Sequence, residues 1–317
     1  MTIFYRPDKI QKTYLDMIKH LEDVVLKAKA KGKKRLIVAY GQDSHTLEAV
    51  NDAIQAGIVD ATVIGDPAEI EKVCKAEGID IKNLTIVAES NDVKCVQIAV
   101  KMISEGQGDV LMKGLVSTDK YMRGILNKEY GLLPPKAVLS HVAVIEVPAY
   151  HKLLTVSDVA VIPYPEFNQK VAIAKYLIQT AKALEIEVPK IACIAPSEQV
   201  LPTIPSSMEA TLLAKMGERG QLGSKVEIEG PLALDVAIDA ESAKTKKITS
   251  PVAGDADCLL FPNIDAGNVF FKTCTKFAGA ELAGMVTGAK VPCVLTSRGD
   301  SRKTKMYSIA LACLSAK

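Results

Sequence analysis

The stretch 250-SPVAGDADCLLFPNIDAGNVFFK-272 decides how this chain is read. Ser250-Pro251-Val252-Ala253-Gly254 is turn chemistry: proline presets φ, and glycine admits angles that other residues avoid. Asp257-Cys258-Leu259-Leu260-Phe261 is a short apolar run between turn signals, as in a strand covered on both faces of a parallel sheet. Pro262 cannot donate to a ladder and stops it. Asn263, Asp265, Gly267 and Asn268 crowd the next six positions, after which Val269-Phe270-Phe271-Lys272 predicts a helix running on through Glu281. A polar loop after the carboxyl end of a buried strand is where open α/β sheets bind ligands. Helix capping by Asp265 and Asn268 accounts for the same residues. The residues alone leave both readings open.

The same alternation extends in both directions from this stretch. Toward the N-terminus an amphipathic helix is expected over 9–32, with Ile10, Tyr14, Met17, Ile18, Leu21, Val24 and Val25 on one face. Apolar runs at 36–40, 61–65, 84–87, 110–112, 155–162, 191–195 and 293–295 read as strands, and 137–147 as a strand pair broken at Ser140-His141. Val226-Glu227-Ile228-Glu229 alternates like a further strand. Helical patterns lie between them, near 45–56, 67–77, 91–105, 166–185, 206–218, 235–243 and 303–314. Strand and helix in alternation signal an α/β fold with a parallel sheet and crossover helices. A chain of 317 residues exceeds one ordinary core, so two domains are expected.

Composition narrows the function classes. Hydrophobic residues make up 48% and charged residues 24%, without an apolar run long enough for a membrane span. Met1 to Asp8 lacks the charged-then-apolar layout of a signal peptide. Seven cysteines stand singly, without a C-x-x-C pair, which argues for a reducing compartment and against a disulfide framework or zinc site. A net charge of +2 without a basic block leaves no footprint for nucleic acid. The usual motifs of nucleotide hydrolysis and serine-hydrolase chemistry are missing. The four histidines read as satisfied or surface residues.

Two further polar clusters sit at strand ends. After 110–112 comes Lys113-Gly114-Leu115-Val116-Ser117-Thr118, with Arg123 within two helical turns of Ser117. Gly114 lets backbone approach a ligand, and Ser117 and Thr118 offer donors at a helix start. A phosphate site and a helix cap with a surface arginine both fit. After 293–295 comes Thr296-Ser297-Arg298-Gly299-Asp300-Ser301. The three clusters converge only if they line one cleft, and a cleft between domains is the economical arrangement.

Lys113-Gly114-Leu115-Val116-Ser117-Thr118 with Arg123, Gly230-Pro231-Leu232, Pro262-Asn263-Ile264-Asp265-Ala266-Gly267-Asn268 and Ser297-Arg298 together resemble the phosphate acyltransferases, that is phosphate acetyltransferase and phosphate butyryltransferase. The resemblance spans nearly the whole chain. Leu139-Ser140-His141-Val142 and Tyr307-Ser308-Ile309-Ala310-Leu311-Ala312 look closer to the butyryl branch. It implies two three-layer α/β domains with a cleft between them, in the architecture of isocitrate and isopropylmalate dehydrogenases. Domain I would comprise 1–136 plus 289–317, and domain II 137–288. The implied activity is reversible acyl transfer between coenzyme A and phosphate, butyryl or a related short acyl group preferred over acetyl. No metal and no permanently bound cofactor are implied; acyl-coenzyme A and phosphate are substrates. A cytoplasmic homodimer or higher homo-oligomer is expected, with no membrane or nucleic-acid partner.

By that resemblance Ser297 and Arg298 hold the phosphate or the tetrahedral oxyanion, and Ser117, Thr118 and Arg123 bind the phosphoryl group. Lys113, Gly114, Asn263, Gly267 and Asn268 complete the substrate site. The coenzyme A thiol is the nucleophile, so the protein supplies a base. In the acetyl branch the proposed base is an aspartate six residues after the arginine, where this chain has Thr304. Asp300 and Asp265 are the substitutes, and a thiol beside an arginine also ionises more readily on its own. A dehydrogenase of the same architecture and a non-catalytic sensor of acyl phosphate or coenzyme A are the competing readings.

Overall fold

Strands that are apolar on both faces demand cover on both sides, and the helices of this chain provide it. The computed structural model describes residues 18–317 apart from Arg298. The first part holds α1 (Leu21–Ala30), β1 (Lys34–Ala39), α2 (Ser44–Gln55), β2 (Val59–Gly65), α3 (Pro67–Glu77), β3 (Leu84–Ala88), α4 (Asp92–Ser104), β4 (Val110–Lys113) and α5 (Thr118–Ile125). Next come β5 (Ser140–Glu146), β6 (Leu154–Ser157), α6 (Phe167–Ala183), β7 (Lys190–Ile194), α7 (Pro205–Glu218), β8 (Glu227–Leu232), α8 (Leu234–Ile238), α9 (Ala240–Thr245), β9 (Cys258–Leu260), α10 (Ile264–Phe277) and β10 (Glu281–Thr287). Then β11 (Cys293–Val294) and α11 (Arg302–Ser315) follow.

All these strands join one sheet in the order β3-β2-β1-β4-β11-β10-β5-β6-β9-β7-β8. From β3 to β11 the pairing is parallel, and so it is from β6 to β8. Three antiparallel steps through β10 and β5 separate the two sets, so the sets point in opposite directions. Helices α1, α2, α3 and α11 cover one face of the first set, and α4 and α5 the other. Helices α6 and α7 cover one face of the second set, and α8, α9 and α10 the other.

Register positions the site. Met112 pairs Val294, Val294 pairs Met285, and Met285 pairs Val142. One step from the Ala143–Val156 pair, Ser157 falls opposite Val142, and Ser157 pairs Leu260. The last residues of β11, β6 and β9 therefore share one row across the sheet, with β4 ending one residue beyond it. The two sets meet head to head at this row, and their polar loops leave from it in opposite directions.

Several expectations change. The N-terminal helix is seen from Leu21; Ile10, Tyr14 and Met17 lie outside the described residues. Ser140 and His141 open a single strand, β5, instead of dividing a pair. The run 155–162 leaves the ladder at Ser157 because the Asp158 carboxylate captures the amides of Ala160, Val161 and Ile162. Helix α10 stops at Phe277, short of the expected Glu281, and Gly279 turns the chain at φ +64° into β10, a central strand not expected from the periodicity. The helix expected near 235–243 is two short ones, α8 and α9.

Candidate active site

Lys113 ends β4 with its side chain only 3% exposed, and its ammonium donates to the Gly114 and Val116 carbonyls at 3.1 and 3.0 Å. Those bonds hold the loop at the strand's end. A Cβ on Gly114 would lie 2.3 Å from the Tyr40 carbonyl oxygen, so only glycine lets this loop pack against the one after β1. Ser117 caps α5 by accepting from the Lys120 amide at 3.4 Å, and Thr118 is exposed. Arg123 pairs with Asp119 at 3.1 Å on the outer surface, its side chain 78% exposed; among the described residues it makes no contact with Ser117.

The turn after β11 is a compact unit. The Ser297 amide donates to Asp300 Oδ2 at 2.6 Å and the Asp300 amide returns to the Ser297 carbonyl at 3.2 Å. Arg298 lies outside the described residues. Ser301 caps α11, its hydroxyl accepting from the Thr304 amide at 3.1 Å. The Thr304 hydroxyl oxygen accepts from the Ser301 hydroxyl at 3.1 Å.

Two residues that the sequence reading passed over grip this turn from opposite faces of the sheet. Lys305, 3% exposed on the first turn of α11, donates to Thr296 Oγ1 and the Ser297 carbonyl, each at 3.1 Å. Burial pushes its ammonium below the ordinary lysine range, and the facing carboxylates of Asp43 and Asp300 offset this in part. On the other face His141, 5% exposed, lays its ring over Gly284 toward the Leu295 carbonyl, with Asp158 and Asp300 nearby. Burial lowers its affinity for a proton, so it is held neutral, and its Nδ1 has no partner among the described residues. His141 thus differs from the expected satisfied or surface histidine. His20, His45 and His151 do sit on the surface, beside Glu146, Glu48 and Asp255.

The 263–268 loop uses its polar groups differently. Asn263 caps α10 by accepting from the Ala266 amide at 3.0 Å. Asp265 accepts from the exposed Tyr164 hydroxyl at 2.8 Å, and Asn268 donates to the Val159 carbonyl at 2.8 Å. A Cβ on Gly267 would lie 2.3 Å from the Asp158 carbonyl oxygen, so the helix start is pressed against that turn. Asp158, 1% exposed, accepts from Ser140 Oγ and the His141 amide at 3.0 and 3.1 Å besides its own turn's amides. A continuous chain of contacts therefore runs from Gly267 and Asn268 through Asp158 and His141 to the Leu295–Asp300 turn. It joins two of the three clusters, while the Lys113 loop adjoins the third side through the β4–β11 pairing.

Beside Asn263 a cavity of about 600 Å³ opens at the carboxyl ends of β7 and β9, walled by Tyr164, Pro165, Ile194, Ala195 and Pro262, with Lys170 paired to Glu209 at its edge. The cysteines offer no rival nucleophile: all seven are buried, and burial pushes Cys193 and Cys293 up to about 12. Lys305, His141 and Asp158 were missed because burial, which makes each of them unusual, is invisible in a linear pattern.

Residues 20–97 and 88–313 match the family described as phosphate acetyl/butaryl transferase. The phosphate butyryltransferase of Clostridium acetobutylicum is 44% identical over 300 residues, covering 95% of this chain and 99% of that enzyme. The phosphate acetyltransferase of Thermotoga maritima is 38% identical, covering 93% and 99%. The crystal structure of a branched-chain phosphotransacylase from Enterococcus faecalis superposes with a TM-score of 0.78 at 31% identity, covering 89% of this chain and 98% of that one.

Proposed function

The chain belongs to the phosphate acetyl/butyryl transferase family, and on that premise we propose that it moves a short acyl group reversibly between coenzyme A and phosphate. The observation that carries the reading is the turn Ser297–Asp300, set at a carboxyl strand end between buried Lys305 and His141. Such a turn holds the Ser297 hydroxyl in place as a donor where negative charge develops, and fixed donors of that kind are usually the largest single contribution to catalysis.

In the direction of thioester formation, the coenzyme A sulfur attacks the acyl carbon of the acyl phosphate and forms a C–S bond. The tetrahedral oxyanion collapses, the C–O bond to phosphate breaks, and phosphate leaves with the electron pair. Ser297 and Arg298 hold the oxyanion or phosphate, and Lys113, Gly114, Ser117, Thr118 and Arg123 take the phosphoryl side. Asp300 is the first choice for the thiol proton because it closes the catalytic turn; Asp265, engaged by Tyr164, is the second. Coenzyme A lies along Asn263, Gly267 and Asn268 beside the 600 Å³ cavity. Butyryl or a related short chain is the preferred group, a choice supported by the higher identity to the butyryl enzyme, with acetyl the alternative.

The unit 1–136 with 289–317 forms one domain and 137–288 the other, a division supported by the pairing of β11 with β4 and by α11 packing in the first core. A cytoplasmic homodimer is the proposed working form, for which the free buried cysteines suit a reducing compartment. Mixing purified protein with butyryl-coenzyme A and phosphate should release free thiol. No release with butyryl, acetyl or branched acyl-coenzyme A would leave a non-catalytic binding protein instead.

A further inference from the structure

A buried ammonium costs free energy unless it is paired, and one without an ion pair at a site of charge chemistry calls for a reason. Lys305 is such a group. Its two hydrogen bonds go to the hydroxyl of Thr296 and the carbonyl of Ser297, the residues that lead into the transfer turn. Two charged groups face it through space: Asp43 from the β1–α2 loop and Asp300 from the turn itself. Neither makes an ion-pair contact with it among the described residues, and Asp43 Oδ2 is itself buried without a partner there. Asp43 is occupied through Oδ1, which accepts from the Thr46 amide at 3.0 Å. Lys113 does the comparable task one strand away, where its ammonium holds the Gly114 and Val116 carbonyls.

We propose that Lys305 is a positioning residue of the acyl-transfer reaction, its buried ammonium fixing the Ser297 carbonyl and Thr296 hydroxyl so that the turn presents its donors to the reacting centre. The proposal rests on the reading of 297–300 as the catalytic turn. A neutral amine keeps fewer donors and no charge, so loss of the proton loosens the turn. Because burial lowers the proton affinity of Lys305, this loss falls below the range of an ordinary lysine as pH rises. Activity should therefore carry an alkaline limb that follows Lys305.

The test uses the full chain with butyryl-coenzyme A and phosphate, reading kcat, both KM values and the pH profile, with the thermal midpoint as a check on folding. Lys305→Met fills the same space without charge, and such replacements of buried charges are often neutral for stability. It should lower kcat by about 100-fold, the scale of a misplaced reacting group, with KM for acyl-coenzyme A little changed. Lys305→Arg should retain more activity than Lys305→Met and move the alkaline limb to higher pH. A folded Lys305→Met with wild-type kcat, or a Lys305→Arg with the wild-type limb, would overturn the proposal; if Lys305→Met does not fold, the Arg limb alone decides it. Ser297→Ala separates the two layers. Loss of turnover there beside an active Lys305→Met removes only Lys305, whereas wild-type turnover in Ser297→Ala removes the catalytic turn and the proposal with it.

Discussion

The turn after β11 and the loop after β9 both leave the same row of the sheet, and both are dense in polar side chains, yet they put those groups to opposite uses. After β9, Asn263 and Asn268 satisfy backbone groups, and the neighbouring Asp158 carboxylate gathers five donors. After β11, the buried partners come from outside, Lys305 from α11 and His141 from β5, the Asp300 carboxylate closes the turn on the Ser297 amide, and Ser297 itself is exposed. Polar residues that complete the backbone make a wall; polar residues held by others make a working surface.

The largest effect that tests this contrast is Arg298→Ala. It should remove about 2.7–4 kcal/mol of transition-state stabilisation, read from kcat/KM, with an unchanged thermal midpoint. Unchanged turnover would move the working surface elsewhere. Asp158→Ala should do the reverse, lowering stability by about 3 kcal/mol in a denaturant titration because several buried donors lose their acceptor. If the variant kept its stability and lost only activity, Asp158 would prove to serve the reaction and not to hold the wall.

His141 offers a gentler probe between the two. Its proton affinity is lower in the folded chain than in the unfolded one, so the fold favours the neutral imidazole. Stability from this source is complete above the unfolded value of about 6.5 and falls as pH drops from there toward the lowered folded value. His141→Gln should flatten that decline in thermal midpoints measured from neutral to mildly acid buffer. An equally steep decline in the variant would assign it to other groups. Arg123→Ala should matter least for folding, within about 0.5 kcal/mol, since exposed pairs one helical turn apart contribute little. KM for phosphate should rise with stability unchanged, and an unchanged KM would take Arg123 out of the phosphoryl site.

Much of this architecture was legible. The runs 36–40, 61–65, 110–112 and 191–195 are apolar on both faces, and buried parallel strands have no other pattern to show. The antiparallel centre was not. Glu281-Leu282-Ala283-Gly284-Met285-Val286-Thr287 lacks β-branched density, and β10 is a strand because β5 and β11 flank it. The Ser-Arg turn and the Pro-Asn-x-Asp-Ala-Gly-Asn loop could be found as motifs, but which of their side chains would face inward could not. Lys305 reads as one more basic residue at the start of a helix until the packing shows it 3% exposed.

The amino-acid sequence by itself determined the α/β alternation, the places where polar loops follow buried strands and the family to which the chain belongs, because periodicity, turn residues and contiguous motifs are local properties. Tertiary structure alone decided that β11, β6 and β9 end at one level of the sheet, with β4 one residue beyond, and that an imidazole and an ammonium close on the Ser297 turn from opposite faces. Register and burial arise largely from residues far apart in the chain, and burial is what turns an ordinary lysine or histidine into a group whose charge and hydrogen bonds matter.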